Sequence, residues 1–174
     1  MQRPQPTVLE RGRVRLEPLA PGHRGALAVA IAADPDSFPL AGPVSGGATL
    51  DAWLALAAAE AAAGTRLPFA VLSDGVAAGS SSYLDIAPGD GRIEIGSTWY
   101  GAPWRNTHVN PTAKLLLLEH AFDTLGATRV QLKTDARNER SRRADGPGLR
   151  DVAMFSVIDD DWPRVQALLE ERLP

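Results

Sequence analysis

The spacing of hydrophobic and polar residues changes period several times along the chain, and each change marks an element. From Arg92 to Tyr100 it alternates. Ile93 and Ile95 point one way, while Arg92, Glu94, Gly96 and Thr98 point the other, which predicts a strand. Trp99 and Tyr100 close it with aromatics that suit strands. A helical period follows: Leu115, Leu116, Leu117, Leu118, Ala121, Phe122 and Leu125 form a wide apolar face, with Lys114, Glu119 and Asp123 outside it. The helix is expected over 110–125, capped by Asn110 or Thr112, with Pro111 in its first turn and Gly126 at its end.

The remaining elements follow from the same pattern. Residues 1–11 read as a loose lead-in to a single domain spanning 1–174. Arg13 to Leu16 alternates as a short strand. Residues 22–33 form an alanine-rich helix with Leu27 and Ile31 at helical spacing. Asp34 to Gly47, rich in proline and glycine, is a loop: a plain connector or a wall of the substrate site. Asp51 to Ala63 is a second helix, capped by Asp51 or Thr49, anchored by Trp53, Leu54 and Leu56, and stopped by Gly64. Leu67 to Ser73 and Val76 to Ile86 are strands joined at Asp74-Gly75, a hairpin signal. Arg129 to Thr134 is a strand, a polar helix begins at Asp135, and Leu149 to Ile158 is the last strand. Asp161 caps a final helix with its stripe on Trp162, Val165, Leu168, Leu169 and Leu173.

Composition narrows the function classes. The 174 residues carry a net charge of -3, which gives no reason to expect nucleic acid or an acidic membrane as partner. Cysteine is absent, so disulfides, thiolate metal sites and cysteine nucleophiles are excluded, and a cytoplasmic location fits. The apolar run from Ala26 to Ala33 is too short to span a bilayer. His23, His108 and His120 lack metal-ligand spacing, so no metal is expected.

The passage from the 92–100 strand through Gly101-Ala-Pro-Trp-Arg105-Asn106-Thr107-His108-Val109-Asn110 into the helix carries the chemistry. The first amides of a helix have no internal acceptor, and its dipole places partial positive charge there. A strand feeding a turn and a helix N-terminus is therefore an anion site suited to a phosphate-bearing cofactor.

Several local sequences occur in an order that resembles the GCN5-related N-acetyltransferase (GNAT) superfamily, most closely its branch of ribosomal-protein N-terminal acetyltransferases. They are Leu67-Pro-Phe-Ala-Val71, Glu94-Ile-Gly96 with Thr98-Trp99, and Val109-Asn110 followed by Ala113-Lys114-Leu-Leu-Leu-Leu118. Two more follow: Asp135-x-x-Asn138-x-x-Ser141, and Asp151 with Phe155-Ser156. The resemblance covers about residues 12–173. It implies an α+β fold with a mixed, mostly antiparallel sheet flanked by helices, in the order β-α-α-β-β-β-α-β-α-β-α. It also implies acetyl-CoA as co-substrate and a primary amine, on a protein N-terminus or a small molecule, as acceptor. A homodimer is compatible with it.

By the same resemblance, Arg105, Asn106, Thr107, His108, Val109 and Asn110 form the pyrophosphate loop. The family places small residues where His108 and Asn110 stand, so lost glycine freedom puts cofactor affinity in question. Arg105 pairs with a phosphate or is a solvated surface arginine, and His108 is expected to be structural or exposed. Trp99 walls the acetyl group or belongs to the core. Glu94 is the candidate general base, or else a carboxylate paired within the sheet, with Asp85 and Tyr83 as weaker candidates. Asn138 contacts the cofactor or caps its helix. Ser141 hydrogen-bonds the cofactor or protonates the leaving thiolate, since no tyrosine follows Tyr100 to do so. The stop at Asp145-Gly-Pro-Gly148 leaves a helix too short to stand alone, which suggests that a segment is absent after Ala144. The alternatives are a non-catalytic acyl-CoA-binding or regulatory module on the same fold, and a plain interaction domain.

Overall fold

The computed structural model describes residues 1–33, 49–135, 152–171 and 173. Seven strands form one sheet in sequential order: β1 (Leu9–Arg11), β2 (Val14–Pro18), β3 (Leu67–Ser73), β4 (Val76–Ala87), β5 (Arg92–Tyr100), β6 (Arg129–Asp135) and β7 (Val152–Ile158). All neighbours are antiparallel except β5 and β6. That parallel pair is joined through α3 (Val109–Glu119), because a parallel connection needs a crossover. The other helices are α1 (Arg24–Ala32), α2 (Leu50–Ala62) and α4 (Trp162–Glu170). This is the mixed sheet flanked by helices that the sequence predicts.

Two cores occupy the two faces of the sheet. On one, Val14, Phe69, Tyr83, Ile93, Ile95 and Tyr100 pack against Leu115, Leu117 and Trp162 of α3 and α4. On the other, Leu27, Ile31 and Trp53 of α1 and α2 pack against Ala77 and Trp99. Consecutive strand residues point to opposite faces, and accordingly Ala77 and Ala78, like Trp99 and Tyr100, divide between the two cores.

Local chemistry explains several boundaries. Asp74 and Gly75 take φ of 51° and 78°, the left-handed pair that a two-residue hairpin of matching twist requires. Thr49 caps α2 by accepting from the Ala52 amide at 3.2 Å, while Asp51 turns to Arg24. Gly126, at φ 68°, closes the helical stretch as expected, after a π-helical turn over His120–Thr124.

Several expectations are corrected. The lead-in is not loose: Leu9–Arg11 pairs with β2, the Gln2 amide donates to Leu125 O at 2.7 Å, and Arg3 donates to Gly64 O at 3.0 Å. Neither Asn110 nor Thr112 caps α3. Thr107 Oγ1 accepts from the Val109 amide at 3.3 Å, and the Thr112 hydroxyl donates back to His108 O. Leu56 is exposed, as is Leu168, because each helix packs through a narrower stripe than its leucines suggest. The loop over 34–48, the polar helix after Asp135 and the break after Ala144 lie outside the described residues.

Candidate active site

The site is organised by a change of character halfway along β5. Its first half, Arg92 to Ile95, pairs with β4 on one edge and with Arg129 to Leu132 of β6 on the other. The parallel register stops at Ile95 and Leu132. From there β6 continues with β7 alone, while β5 continues with β4 alone. The strands part, and β5 keeps an open edge from Gly96 to Tyr100 among the described residues.

A bulge sits where they part. Ser82 pairs with Gly96 and Ser80 with Trp99, so β5 carries one residue more than β4 across that step. Ser97 absorbs it with φ of 49°. The extra residue reverses the alternation beyond it. Thr98 reaches Lys114 on the α3 face, the face that Ile93 and Ile95 share, whereas Trp99 joins Trp53 on the other, edge-to-face at 6.0 Å. The sequence alternation places Thr98 with Glu94 instead, because a bulge leaves no trace in a period-two pattern. Close approach of β4 makes glycine obligatory opposite: a Cβ on Gly79 would stand 2.0 Å from Trp99 O.

The open edge presents backbone groups outward. Gly101 donates its amide to Ala78 O of β4 at 2.9 Å. Alternation then turns the peptide groups of Tyr100, and of Thr98 before it, to the opposite edge. Arg105 confirms the direction by donating from Nε to Tyr100 O at 2.9 Å.

The loop that follows leads into α3. Asn106 takes φ of 58°, while His108 is helical at φ −63° and Asn110 lies within α3. The residue that needs left-handed freedom is therefore Asn106, and asparagine is the non-glycine residue best suited to it. Substituting His108 and Asn110 for small residues costs no backbone freedom. The amides of Asn106 and Asn110 have no acceptor among the described residues, and Pro111 has none to give. His108 Nε2 is buried with no hydrogen-bond partner among the described residues. Val109 is fully buried in the core.

Glu94 lies where the strands part. It is 7 % exposed, opposite Gln131 in the parallel register, and its Oε2 meets Lys133 Nζ at 2.5 Å. Lys133 is two residues beyond that register partner, so the ion pair crosses the fork on the face that Trp99 shares. The two weaker candidates are engaged elsewhere. The Tyr83 hydroxyl donates to Leu117 O inside the core, where burial pushes it well up, and Asp85 pairs with Arg92. Asn138 and Ser141 lie outside the described residues.

Sequence reasoning missed two cations. Arg66, 5 % exposed, donates to Ser82 Oγ at 3.0 Å, Ser97 Oγ at 2.9 Å and Glu60 at 3.1 Å, and lies 5.2 Å over the Trp53 ring. Lys114 donates from the α3 face to Thr98 Oγ1 at 2.8 Å. A lysine breaking the run Ala113-x-Leu-Leu-Leu-Leu118 was the only signal available for the latter. Among the described residues no group of three or more acidic or histidine side chains is placed to hold a metal, and no helix is long and apolar enough to cross a membrane.

A bulged strand parting from its parallel neighbour and feeding a helix N-terminus leaves an open edge beside an anion-binding helix end. The family of the acetyltransferase (GNAT) domain matches residues 13–144, and the chain belongs to it. It is an acyl-CoA-dependent N-acyltransferase.

Solved structures agree. A GCN5-related N-acetyltransferase from Brucella melitensis is 28% identical over 97% of this chain and 86% of its own, with a TM-score of 0.81. A protein from T. thermophilus, described as an acetyltransferase, is 33% identical over 98% of this chain and 99% of its own, with a TM-score of 0.79. Mycobacterium smegmatis RimJ, solved with CoA-disulfide, is 19% identical over 99% of this chain and 98% of its own. Its TM-score of 0.80 shows a shared fold. No curated protein matches the chain.

Proposed function

We propose that this protein transfers an acetyl group from acetyl-CoA to a primary amine, on a protein N-terminus or a small molecule, by direct attack of the amine. The observation that carries the reading is the open edge of β5 running into the N-terminus of α3, with unused amides on both.

In this reading the amides of Asn106 and Asn110, the α3 dipole and Arg105 receive the pyrophosphate. Asn138 and Ser141 keep the cofactor contacts that the family resemblance gives them. The Tyr100 or Thr98 amide on the open edge donates to negative charge developing on the thioester oxygen. Glu94, paired with Lys133, takes the proton from the acceptor amine. An N-terminal α-amine, with a pKa of about 7.7–8.0, needs little more than that, whereas a lysine near 10.4 needs a stronger base. A protein N-terminus or another weakly basic amine is thus the better-matched acceptor. RimJ binding CoA-disulfide supports the cofactor half of the reading. The acceptor half is supported by a Salmonella typhimurium acetyltransferase that modifies the N-terminal serine of a 50S ribosomal subunit protein. It shares the fold, with a TM-score of 0.71 at 14% identity over 87% of this chain and 99% of its own.

Thermal unfolding with and without acetyl-CoA tests the first half. Ligand at a hundred times its dissociation constant stabilises by about 2.7 kcal/mol, a rise of roughly 5–10 °C for a domain of this size. No rise at saturating acetyl-CoA would end the reading. For the second half, Glu94→Gln should slow turnover of a peptide amine about tenfold or more with acetyl-CoA affinity unchanged. Equal loss of both would make the Glu94–Lys133 pair a structural bridge.

A further inference from the structure

Lys114 has no part in the roles above, yet it touches the strand beside the opening. Its Nζ donates to Thr98 Oγ1 at 2.8 Å, and that oxygen lies 2.8 Å from Ser81 Oγ. Among the described residues no carboxylate lies within ion-pair reach of it. A half-buried ammonium whose partner among the described residues is a hydroxyl recovers little of its desolvation cost, and burial accordingly pulls the amine down from 10.5 to about 7. An apolar side chain at this place, next to Leu115 to Leu118, would stabilise the helix packing better. The lysine is therefore not explained by the stability of the core.

Its contact is with the bulge. Ser97 is a non-glycine residue in the left-handed region, a conformation that persists only where its surroundings impose it. Arg66 grips Ser97 and Ser82 from the α2 face, and Lys114 grips Thr98 from the α3 face. We propose that Lys114 is a positioning residue of the acyl-transfer site: by holding Thr98 opposite the Arg66 clamp, it fixes the direction of the open-edge amides of Thr98 and Tyr100. The inference rests on the acetyl-transfer reading. Reacting groups tolerate little displacement, since about 1 Å of misplacement costs about a hundredfold in rate. A bulge held from one side only would relax by turning those amides.

The test compares wild type with Lys114→Met, Lys114→Arg, Thr98→Val and the Thr98→Val, Lys114→Met double variant. Turnover is measured with acetyl-CoA and a peptide bearing a free N-terminus. Lys114→Met should lower kcat about tenfold or more while the KM for the peptide stays within about twofold. Lys114→Arg should recover most of the rate. The double variant should be no slower than Thr98→Val alone, because both remove one contact. A Lys114→Met enzyme at wild-type kcat, or losses that multiply in the double variant, would overturn the inference. Amide hydrogen exchange of the unliganded protein reads the same point without turnover. Exchange at Gly101, whose amide bonds Ala78 O across the bulged half, should quicken in Lys114→Met and not in Lys114→Arg, and unchanged exchange would overturn the inference. If wild type neither binds acetyl-CoA nor turns over, the acetyl-transfer reading fails, and the exchange arm still decides whether Lys114 holds the bulge.

Discussion

The two halves of β5 share one strand and one bonded neighbour, and differ in their free edge, backbone conformation and polar contacts. Arg92 to Ile95 is bonded on both edges, and its isoleucines are sealed in the larger core. Gly96 to Tyr100 has one bonded edge and a left-handed serine, and its Ser97 and Thr98 side chains are held by an arginine and a lysine, while Trp99 and Tyr100 pack into the two cores. The first half does what a central strand does for stability. The second half keeps backbone groups unpaired and directed, an arrangement that costs stability and is useful only where something binds. A single residue, the extra one in the bulge, separates the two.

That contrast can be broken by substitution. The largest effect is expected at Gly79. A Cβ there meets the Trp99 carbonyl and the Tyr100 Cα, so Gly79→Ala must push β4 from the open half. The expected loss is about 3 kcal/mol or more, read by urea unfolding, together with loss of turnover in the protein that remains folded. A fully active, fully stable Gly79→Ala protein would show that the close approach of β4 to β5 is dispensable.

Ile95→Ala strikes the closed half. Ile95 is 1 % exposed, and the cavity should remove about 3 kcal/mol of stability while turnover per folded molecule stays near wild type. If turnover collapsed at a temperature where the variant is still folded, the two halves would not be separable.

The smallest effect concerns Lys114 and carries a sign. Its amine titrates at about 7 in the folded protein and near 10.5 when exposed. Below about 7 both states are protonated, and the folded protein bears the cost of a partly desolvated ammonium. Between the two values the unfolded chain binds a proton that the folded one does not, so stability rises with pH. Relative to Lys114→Met, wild type should therefore gain roughly 2 kcal/mol as pH rises from about 6.5 to 8.5, measured from urea midpoints. A pH-independent difference would show that the amine is solvated.

Much of this molecule was legible from residue order. The Asp74-Gly75 hairpin, the Thr49 cap, the Gly126 stop and the alternation of Ile93 and Ile95 depend on neighbours within a few positions. The resemblance to the acetyltransferase family also rested on short runs in order, and it carried the fold, the enzyme class and the place of the loop. What failed were statements that needed distant partners. The lead-in read as loose because its ties, to Leu125 and Gly64, lie far along the chain. Leu56 read as an anchor because composition does not tell which stripe of an alanine-rich helix faces the sheet.

By itself the sequence determined the elements, their order and the stretch where chemistry would lie, because period, capping and turn propensity are properties of adjacent residues. Tertiary structure alone decided where β5 parts from β6, that Ser97 rather than a glycine takes the strain, and that Asn106 is the loop residue with positive φ. It also decided that Glu94 faces Lys133 and that Lys114 meets Thr98. Those facts depend on register between strands and on packing across two faces of a sheet, and residues brought together from dozens of positions apart leave no periodic trace.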